Sequence, residues 1–341
     1  MNELTGLRDH RNSLSKYLGL VQNADVESIL EESLWGPLED FLSKPGKNIR
    51  PKLVELGFRL ASRNEAEIDL SLVQEKLNIA SSIVEAIHAG ALIIDDIEDG
   101  SEVRRNAPSL HLKYGLPKAL NAGNWLYFWG LEKIPLLGLS DKAQSRLTEE
   151  CLRYLTCAHM GQAIDLGTVI DKIPQIEVRD ICLASMELKT GTLLALALRL
   201  GAAVGGLHEG FEKLDLLGRR LGILLQIFDD IGNFSQQKTE GLTKRQEDLK
   251  LKRPSWIWAI ASSGYREDSY QEFKKAVSAI PSEDLLNEWM EKNDFRNQLM
   301  KSTKYELDSF LSDCEEEWGI THKESAKTIF EIGKILERAY V

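Results

Sequence analysis

Apolar residues recur at spacings of three and four along most of this 341-residue chain, which is the pattern of amphipathic helices. The nine prolines and twenty-five glycines fall mostly between these segments, and runs of alternating apolar and polar residues beside hairpin turns are almost missing. The pattern therefore predicts an all-α fold. The expected helices lie near residues 3–18, 24–43, 50–62, 70–99, 117–132, 141–168, 175–204, 209–234, 245–263, 267–278, 282–292, 296–316 and 323–339.

No linker rich in glycine, serine or proline and no long run of like charges divides these helices, so we expect one domain over residues 1–341. The helix near residues 70–99 is unusually apolar around Ile79–Ile94, as in a central helix enclosed by others. The most apolar segment, Thr192–Leu207, contains Arg199 and is shorter than the ~20 residues of a membrane span, so we expect a buried helix and no span.

Net charge and cysteine content limit the kinds of ligand and the cellular compartment that we expect for this chain. Lysine and arginine number 42 and aspartate and glutamate 53, a net charge of -11, so nucleic-acid binding is not expected and an anionic ligand needs a local basic patch. The amino-terminal segment lacks the apolar stretch of a secretory signal, and no Cys-x-x-Cys pair occurs. We expect a cytoplasmic protein with free thiols at Cys151, Cys157, Cys182 and Cys314.

Four carboxylates follow the apolar run that ends at Ile94. Asp95 and Asp99 are one helical turn apart and share a face, with Asp96 beside them. Carboxylate oxygens suit Mg²⁺, which takes one or two carboxylates and completes its shell with phosphate and water. A solvated acidic helix end is the alternative for a lone cluster of this kind.

A second acidic motif, also preceded by an apolar run, favours a metal site over a solvated helix end. Asp229 and Asn233 repeat the spacing of four, with Asp230 and Gln226 close in sequence. Asn233 offers a carbonyl oxygen but no charge. Two such motifs facing each other across a helical bundle predict a metal-bridged diphosphate site.

Basic residues occur where such a site needs them. Arg104 and Arg105 follow the first motif, and guanidinium groups bind phosphate oxygens bidentately. Lys47 and Arg50 lie at a turn and helix start, which is a natural anion site. His88 shares the helix face of the first motif two turns away. Taken alone, an arginine pair is typical of a solvated surface and a buried histidine of a core position.

Two further basic groups lie in the second half of the chain. Lys189 and Thr190 fall at an apparent kink in a long apolar helix, where a lysine without a partner is costly and a ligand phosphate would satisfy it. Lys244 and Arg253 flank Asp248 in a polar segment that we expect to fold over the site as a lid. This segment is dense in basic residues, so it carries the weakest signal.

Taken in order, the strings GKNIRP, IHAGALIIDDIED, RR, GQAID, KTG and QIFDDIGN resemble the trans-polyprenyl diphosphate synthase family between about residues 45 and 256. The resemblance implies a single-domain isoprenoid synthase bundle around a central apolar cavity, a homodimer, and three Mg²⁺ ions around an allylic diphosphate. The metal ligands that it implies, which are catalytic together with Lys189, are Asp95, Asp96, Asp99, Asp229 and Asp230.

The resemblance also assigns two diphosphate pockets. The pocket for isopentenyl diphosphate maps onto Lys47, Arg50, His88 and Arg105. The allylic pocket maps onto Arg104, Lys189, Thr190, Gln226, Lys244 and Arg253. Three positions, Asn48, Asn233 and Arg253, depart from the commonest family pattern, and the first two are similar to the eukaryotic-type geranylgeranyl diphosphate synthases.

The implied reaction is head-to-tail condensation of isopentenyl diphosphate with an allylic diphosphate, with product length set by the apolar tunnel below Asp95. Positions Gly90 or Ala91, and then Ile87 or Val84, are expected to line it. Its floor is implied to be Tyr127, Phe128 and His159, with ordinary core packing as the alternative. We predict a twenty-carbon product, with farnesyl or longer chains as alternatives.

Two other functions stay open at this point. A class I terpene cyclase is also helical and rich in aspartate, but it needs one diphosphate pocket, and its second metal motif requires a carboxylate where DDIGNFSQQ has glutamine. A non-catalytic subunit of a heteromeric synthase commonly loses motif aspartates, which this chain keeps.

Overall fold

The computed structural model describes residues 24–44, 49–62, 71, 73–105, 107–235, 247–280, 282–319 and 322–340. Across these ranges the chain is helical apart from one pair of two-residue strands and the connecting turns, which confirms the all-α prediction. The helix expected at residues 3–18 lies outside the described residues.

The chain divides into two compact units, and the prediction of one domain stays a prediction. The first unit comprises Met1–Glu55 and Asp69–Thr148, and the second comprises Leu56–Ile68 and Glu149–Val341. From the start of the described chain to α7 the elements are α1 (Ala24–Leu30), a π-helical turn (Glu31–Trp35), α2 (Gly36–Leu42), α3 (Ile49–Ala61), α4 (Gln74–Glu98), β1 (Val103–Arg104), β2 (Ala107–Pro108), α5 (Leu110–Tyr114), α6 (Leu116–Glu132), a 3₁₀ turn (Ile134–Leu137) and α7 (Asp141–Gly167).

The remaining elements belong to the second unit. They are a 3₁₀ turn (Ile170–Lys172), α8 (Gln175–Met186), a π-helical turn (Glu187–Gly191), α9 (Thr192–Val204), α10 (Glu212–Ser235), α11 (Glu247–Leu251), α12 (Trp256–Ser263), α13 (Glu267–Ser278), α14 (Asp284–Lys292), α15 (Phe295–Trp318) and α16 (Lys323–Tyr340). Most helices begin and end within a few residues of the positions that the periodicity predicts.

One predicted helix is wrong. The sequence pattern gives a single helix at residues 245–263, whereas the structure has α11 and α12 separated by Lys252–Ser255. Pro254 has no N–H and restricts the residue before it, and Lys252 adopts a left-handed φ of 56°. These two residues end one helix and start another.

Helix α4 packs closely against α6 in the first unit. A Cβ atom at Gly90 would lie 2.7 Å from the carbonyl oxygen of Gly123, and one at Gly130 would lie 2.9 Å from Cγ1 of Ile87. Gly90 and Ile87 therefore face α6, which corrects the expectation that they line an open tunnel. Gly90 and Gly130 let the two helix backbones approach closely. A larger side chain at position 90 would therefore require α6 to move.

A second close packing lies around the π-helical turn of the second unit. A Cβ atom at Gly222 of α10 would collide with the backbone of Gly191, and one at Gly161 of α7 would collide with the amide of Lys189. The turn is thus held between two helix backbones. The apparent kink in the sequence corresponds to this π-helical turn, a feature often found at functional sites.

Two helical stretches, Gln74–Glu98 and Gln175–Val204, are long and apolar enough to cross a membrane by composition. The most apolar window of the first stretch is 50% buried inside the protein and that of the second is 61% buried. A buried core helix meets the same criteria of length and composition. The predicted helix at residues 175–204 is therefore confirmed, and the apolar segment that begins at Thr192 forms its second half, as far as Val204.

Candidate active site

The first acidic motif lies at the carboxyl end of α4, where Arg104 joins it from β1. The Nε atom of Arg104 donates to both carboxylate oxygens of Asp96, at 2.9 and 3.0 Å. Its Nη2 atom lies 3.5 Å from Oδ2 of Asp95. Asp96 is 1% exposed, whereas Asp95 and Asp99 are partly exposed. Arg104, which the resemblance assigns to the allylic diphosphate, is thus bound to the acidic motif itself.

The strand pair that carries Arg104 was not predicted from the sequence. Val103 pairs with Pro108, and Arg104 pairs with Ala107, in an antiparallel arrangement. Arg105 then occupies the turn with a left-handed φ of 52°. The hairpin therefore directs two adjacent arginines to different partners.

Arg105 contacts the carboxyl-terminal end of α2. Its Nη1 atom donates to the carbonyl oxygen of Lys44 at 2.6 Å, and its guanidinium carbon lies 5.4 Å from the ring centre of Phe41. Lys44 is the last described residue before positions 45–48. The predicted ligand Lys47 is one of these positions and therefore lies outside the described residues. Arg105 is thus placed at the chain segment for which the sequence predicts an anion site.

Arg50, Glu85 and His88 form a shielded group near Arg105. Burial lowers the pKa of Arg50 to about 10, with the charge of Glu85 acting in the opposite direction. Burial also raises the pKa of Glu85, against the effect of Arg50 and Arg105. Among the described residues, Nε of Arg50 and Oε1 of Glu85 are shielded from solvent and have no hydrogen-bond partner. A donor without an acceptor beside two positive charges fits an anionic ligand.

His88 lies in the same positive environment. Burial, followed by the charges of Arg50, Arg105 and Arg104, holds the pKa of His88 well below its ordinary value. The imidazole is therefore neutral at pH 7 and offers one N–H donor rather than a positive charge.

This shift predicts a dependence of stability on pH. Because the folded-state pKa of His88 is lowered, its contribution to stability is present above the unfolded pKa and is lost as the pH falls toward the folded-state pKa. We expect the free energy of unfolding to decrease below about pH 6.5, with a slope from this residue of up to about 1.4 kcal/mol per pH unit. Urea unfolding between pH 7 and 5 measures the slope, which should be smaller in His88→Gln. Equal slopes in the two proteins would contradict a neutral His88.

The second acidic motif lies on α10 and is tied to α12. Asp230 is 3% exposed, and its two oxygens accept hydrogen bonds from Nε2 of Gln226 at 2.8 Å and from the amide of Trp256 at 2.6 Å. Oε1 of Gln226 accepts from the hydroxyl of Thr190 at 3.1 Å. Asp229 is partly exposed and lies one turn before Asn233. The π-helical turn, α10 and α12 are therefore connected through Asp230.

Lys189 and Arg253 meet on one carboxylate of the second unit. The Nζ atom of Lys189 lies 2.9 Å from Oδ2 of Asp165, and Nη1 of Arg253 lies 3.4 Å from the same oxygen. Asp165 is only 12% exposed at its side chain. The sequence string GQAID contains Asp165, but no role was predicted for it. The other expected lid residue, Lys244, lies outside the described residues.

The donor set fits a divalent cation. Within the described residues, no three carboxylate, imidazole or thiol side chains are grouped so as to hold a metal ion. Mg²⁺ needs only one or two carboxylates when phosphate oxygens complete its shell. The partly exposed Asp95, Asp99 and Asp229 offer such oxygens, while Asp96 and Asp230 accept hydrogen bonds from protein donors. Each motif by itself thus offers carboxylate oxygens to an ion that binds together with a diphosphate.

The three expected floor residues are placed differently. Tyr127 is half-buried, and burial together with the charges of Glu98 and Asp95 raises its pKa. Phe128 is 71% exposed. His159 is exposed on α7, with Nδ1 2.9 Å from the carbonyl oxygen of Leu155. Successive helix residues point about 100° apart, so Tyr127 faces α4 while Phe128 faces away from it. The chain by itself thus places Phe128 and His159 at its surface rather than in a buried floor.

Known proteins resemble this chain over most of its length. The geranylgeranyl pyrophosphate synthase spyE of Aspergillus fumigatus is 33% identical over 203 residues, which are 60% of this chain and 52% of that protein. A terpene synthase of Matsumurasca onukii is 32% identical over 231 residues, which are 68% of this chain and 70% of that protein. The chain spans about half the length of the first curated relatives that it matches.

Fold and family agree with these relatives. The crystal structure of a geranylgeranyl pyrophosphate synthetase from Pyrococcus horikoshii Ot3 superimposes with a TM-score of 0.67 and 20% identity, covering 98% of this chain and 97% of that one, which shows a shared fold. The family profile described as polyprenyl synthetase matches residues 31–291. Because this match extends over well more than half of the residues, the chain belongs to the polyprenyl synthetase family.

Proposed function

We propose that the protein is a head-to-tail prenyltransferase that condenses isopentenyl diphosphate with an allylic diphosphate to give geranylgeranyl diphosphate. The observation that carries this proposal is that each unit has a carboxylate motif with its own set of basic groups. Arg50 and Arg105 belong to the first unit, and Lys189 and Arg253 belong to the second. Two basic sets are expected where two diphosphates bind. The relatives named geranylgeranyl pyrophosphate synthase support the twenty-carbon product.

We assign metal binding to the partly exposed carboxylates of each motif, Asp95 and Asp99 in the first unit and Asp229 in the second, and propose that three Mg²⁺ ions bind. Asp96 and Asp230, which accept hydrogen bonds from protein donors, complete the two acidic motifs. When bound, Mg²⁺ supplies charge neutralisation for the departing diphosphate. Lys189 and Arg253, which contact Asp165 in the free protein, donate hydrogen bonds to the allylic diphosphate when it binds.

The remaining residues hold the second substrate. Arg50 and Arg105 bind the diphosphate of isopentenyl diphosphate, and the neutral His88 donates one hydrogen bond. The π electrons of the double bond of isopentenyl diphosphate then attack C1 of the allylic substrate, and the C–O electron pair leaves with the allylic diphosphate. The new bond leaves a tertiary cation, which loses the proton at C2 of the isopentenyl unit to the released diphosphate. No protein nucleophile takes part, and exclusion of water from the closed site would protect the cation from hydrolysis.

The test is incubation of the purified chain with isopentenyl diphosphate, dimethylallyl diphosphate and Mg²⁺, followed by dephosphorylation and mass analysis. We expect consumption of isopentenyl diphosphate and a twenty-carbon alcohol. A lack of any turnover would contradict the proposal and favour a non-catalytic subunit.

Terpene cyclisation is the second candidate, because the Matsumurasca onukii relative is a terpene synthase. A cyclase would release a cyclic hydrocarbon from a single allylic diphosphate and would not consume isopentenyl diphosphate. It would also have no use for a second set of diphosphate-binding residues at Arg50, His88 and Arg105, which is why prenyl transfer is the better proposal.

Product length supplies a further prediction, in which we assign the tunnel floor to Tyr127. The would-be Cβ atom of Gly90 lies 3.6 Å from Cδ1 of Tyr127, so the ring sits about 7.5 Å along α4 from Asp95. We expect Tyr127→Ala to shift the products to twenty-five carbons or more by removing a large side chain. Tyr305→Ala is the matched control, because it removes the same side chain from a position on α15 that is 72% exposed, and it should leave product length unchanged. A longer product from Phe128→Ala alone would reverse the assignment.

We propose a homodimer in the cytoplasm. Leu116, Leu120 and Phe128 are apolar side chains of α6 that are 52%, 42% and 71% exposed, and a second copy would cover them. All four cysteines are free, which suits a reducing compartment. Light scattering on the purified chain measures its mass directly, and a monomer would contradict the dimer.

A further inference from the structure

The segment that joins α11 to α12 turns at Lys252. Its φ of 56° is left-handed, a conformation that is unfavourable for a residue with a Cβ atom. Such a conformation persists only where neighbouring contacts hold it, and it is often found where a functional group must be placed.

Three contacts hold this turn. The amide of Lys252 donates to the carbonyl oxygen of Leu249 at 3.1 Å, and its own carbonyl oxygen accepts from the amide of Ile170 at 3.0 Å. Its ammonium group pairs with Oδ2 of Asp171. Asp171 is only 13% exposed at its side chain, so the pair is better shielded than an ordinary surface pair. Two of the three contacts tie the segment to the 3₁₀ turn Ile170–Lys172.

The residues after Lys252 reach both parts of the second unit's site. Arg253 is 12% exposed and lies 3.4 Å from the oxygen of Asp165 that also contacts Lys189. The amide of Trp256 donates to Asp230 at 2.6 Å. A shift of the turn therefore displaces a guanidinium group and a main-chain donor together.

We infer that Asp171 and Lys252 are positioning residues that hold the Arg253 segment in the geometry required by the diphosphate site. The identity of this ligand rests on the proposed function, whereas the link from Asp171 to Arg253 does not. The ion pair touches neither Asp229 nor Asp230, so its effect on a ligand passes through the turn.

The experiment compares Asp171→Asn and Lys252→Gly with the wild type. Glycine accepts the left-handed backbone, so Lys252→Gly removes the ion pair without adding strain. Calorimetry measures binding of inorganic pyrophosphate with Mg²⁺, and kinetics give KM for each substrate. We expect both variants to weaken pyrophosphate binding and raise the allylic KM about tenfold, because a small displacement of a positioned group is costly. KM for isopentenyl diphosphate should stay within about twofold of the wild type.

Two variants control for stability alone. Lys252→Arg keeps the pair and should restore wild-type binding, and Glu272→Gln removes the exposed pair with Lys292. Wild-type pyrophosphate affinity in Lys252→Gly, even with a lower melting temperature, would overturn the inference, and this variant decides the question if Asp171→Asn does not fold. Absence of turnover in the wild type would contradict the proposed function instead, while the pyrophosphate measurement would still test the link from Asp171 to Arg253.

Discussion

Replacement of Asp95 or Asp229 by alanine is expected to reduce turnover by about 10³-fold or more, since each removes a charged oxygen donor where the departing diphosphate develops charge. Both side chains are partly exposed, so their loss should leave the helices intact. Steady-state kinetics at saturating Mg²⁺ measure the loss, and circular dichroism checks the helical content.

Glu98→Ala is the matched control for Asp95→Ala. It removes the same charge from the same end of α4, but Glu98 is exposed and lies outside the proposed ligand set. We expect its turnover to stay within about tenfold of the wild type, as for a surface charge near a site. Near-wild-type turnover of Asp95→Ala or Asp229→Ala would contradict the metal assignment.

Arg50→Ala is expected to weaken isopentenyl diphosphate binding tenfold to a hundredfold, about 1.5–3 kcal/mol for one charge-assisted hydrogen bond. The Nε atom of Arg50 is shielded and, among the described residues, lacks an acceptor, so the free protein loses no hydrogen bond at this atom. Lys47→Ala should act in the same direction if the sequence-based pocket is correct. The dissociation constants of both substrates, measured separately, provide the test.

Lys52→Ala controls for the loss of positive charge from α3, because Lys52 is exposed two residues after Arg50. We expect it to leave both constants nearly unchanged. If Arg50→Ala weakens only the allylic substrate, the two pockets have been assigned in reverse.

Periodicity was sufficient to predict most of the fold because helices of this kind are specified by their own apolar faces. The acidic motifs were visible for the same reason, since Asp95 and Asp99 share a face whatever surrounds them. The break at Lys252–Ser255 was missed although Pro254 could have indicated it, because the apolar spacing continues on both sides.

Partners from other helices could not be read from spacing. Asp165 contacts Lys189 and Arg253, which lie 24 and 88 residues away, so no local pattern marks it. Phe128 has a large apolar side chain of the kind usually found in a core, and only the orientation of α6 shows that its ring is exposed. Sequence reasoning thus supplied the reactive groups, while their protein partners required the fold.

The central claim is that one chain holds two diphosphates at once. Calorimetric titration with isopentenyl diphosphate, in the presence of Mg²⁺ and a saturating thio analogue of dimethylallyl diphosphate that cannot ionise, tests it directly. We predict that isopentenyl diphosphate binds with one equivalent per chain while the analogue stays bound, and that Arg50→Ala weakens this step alone. Competition between the two ligands for a single site would contradict the account.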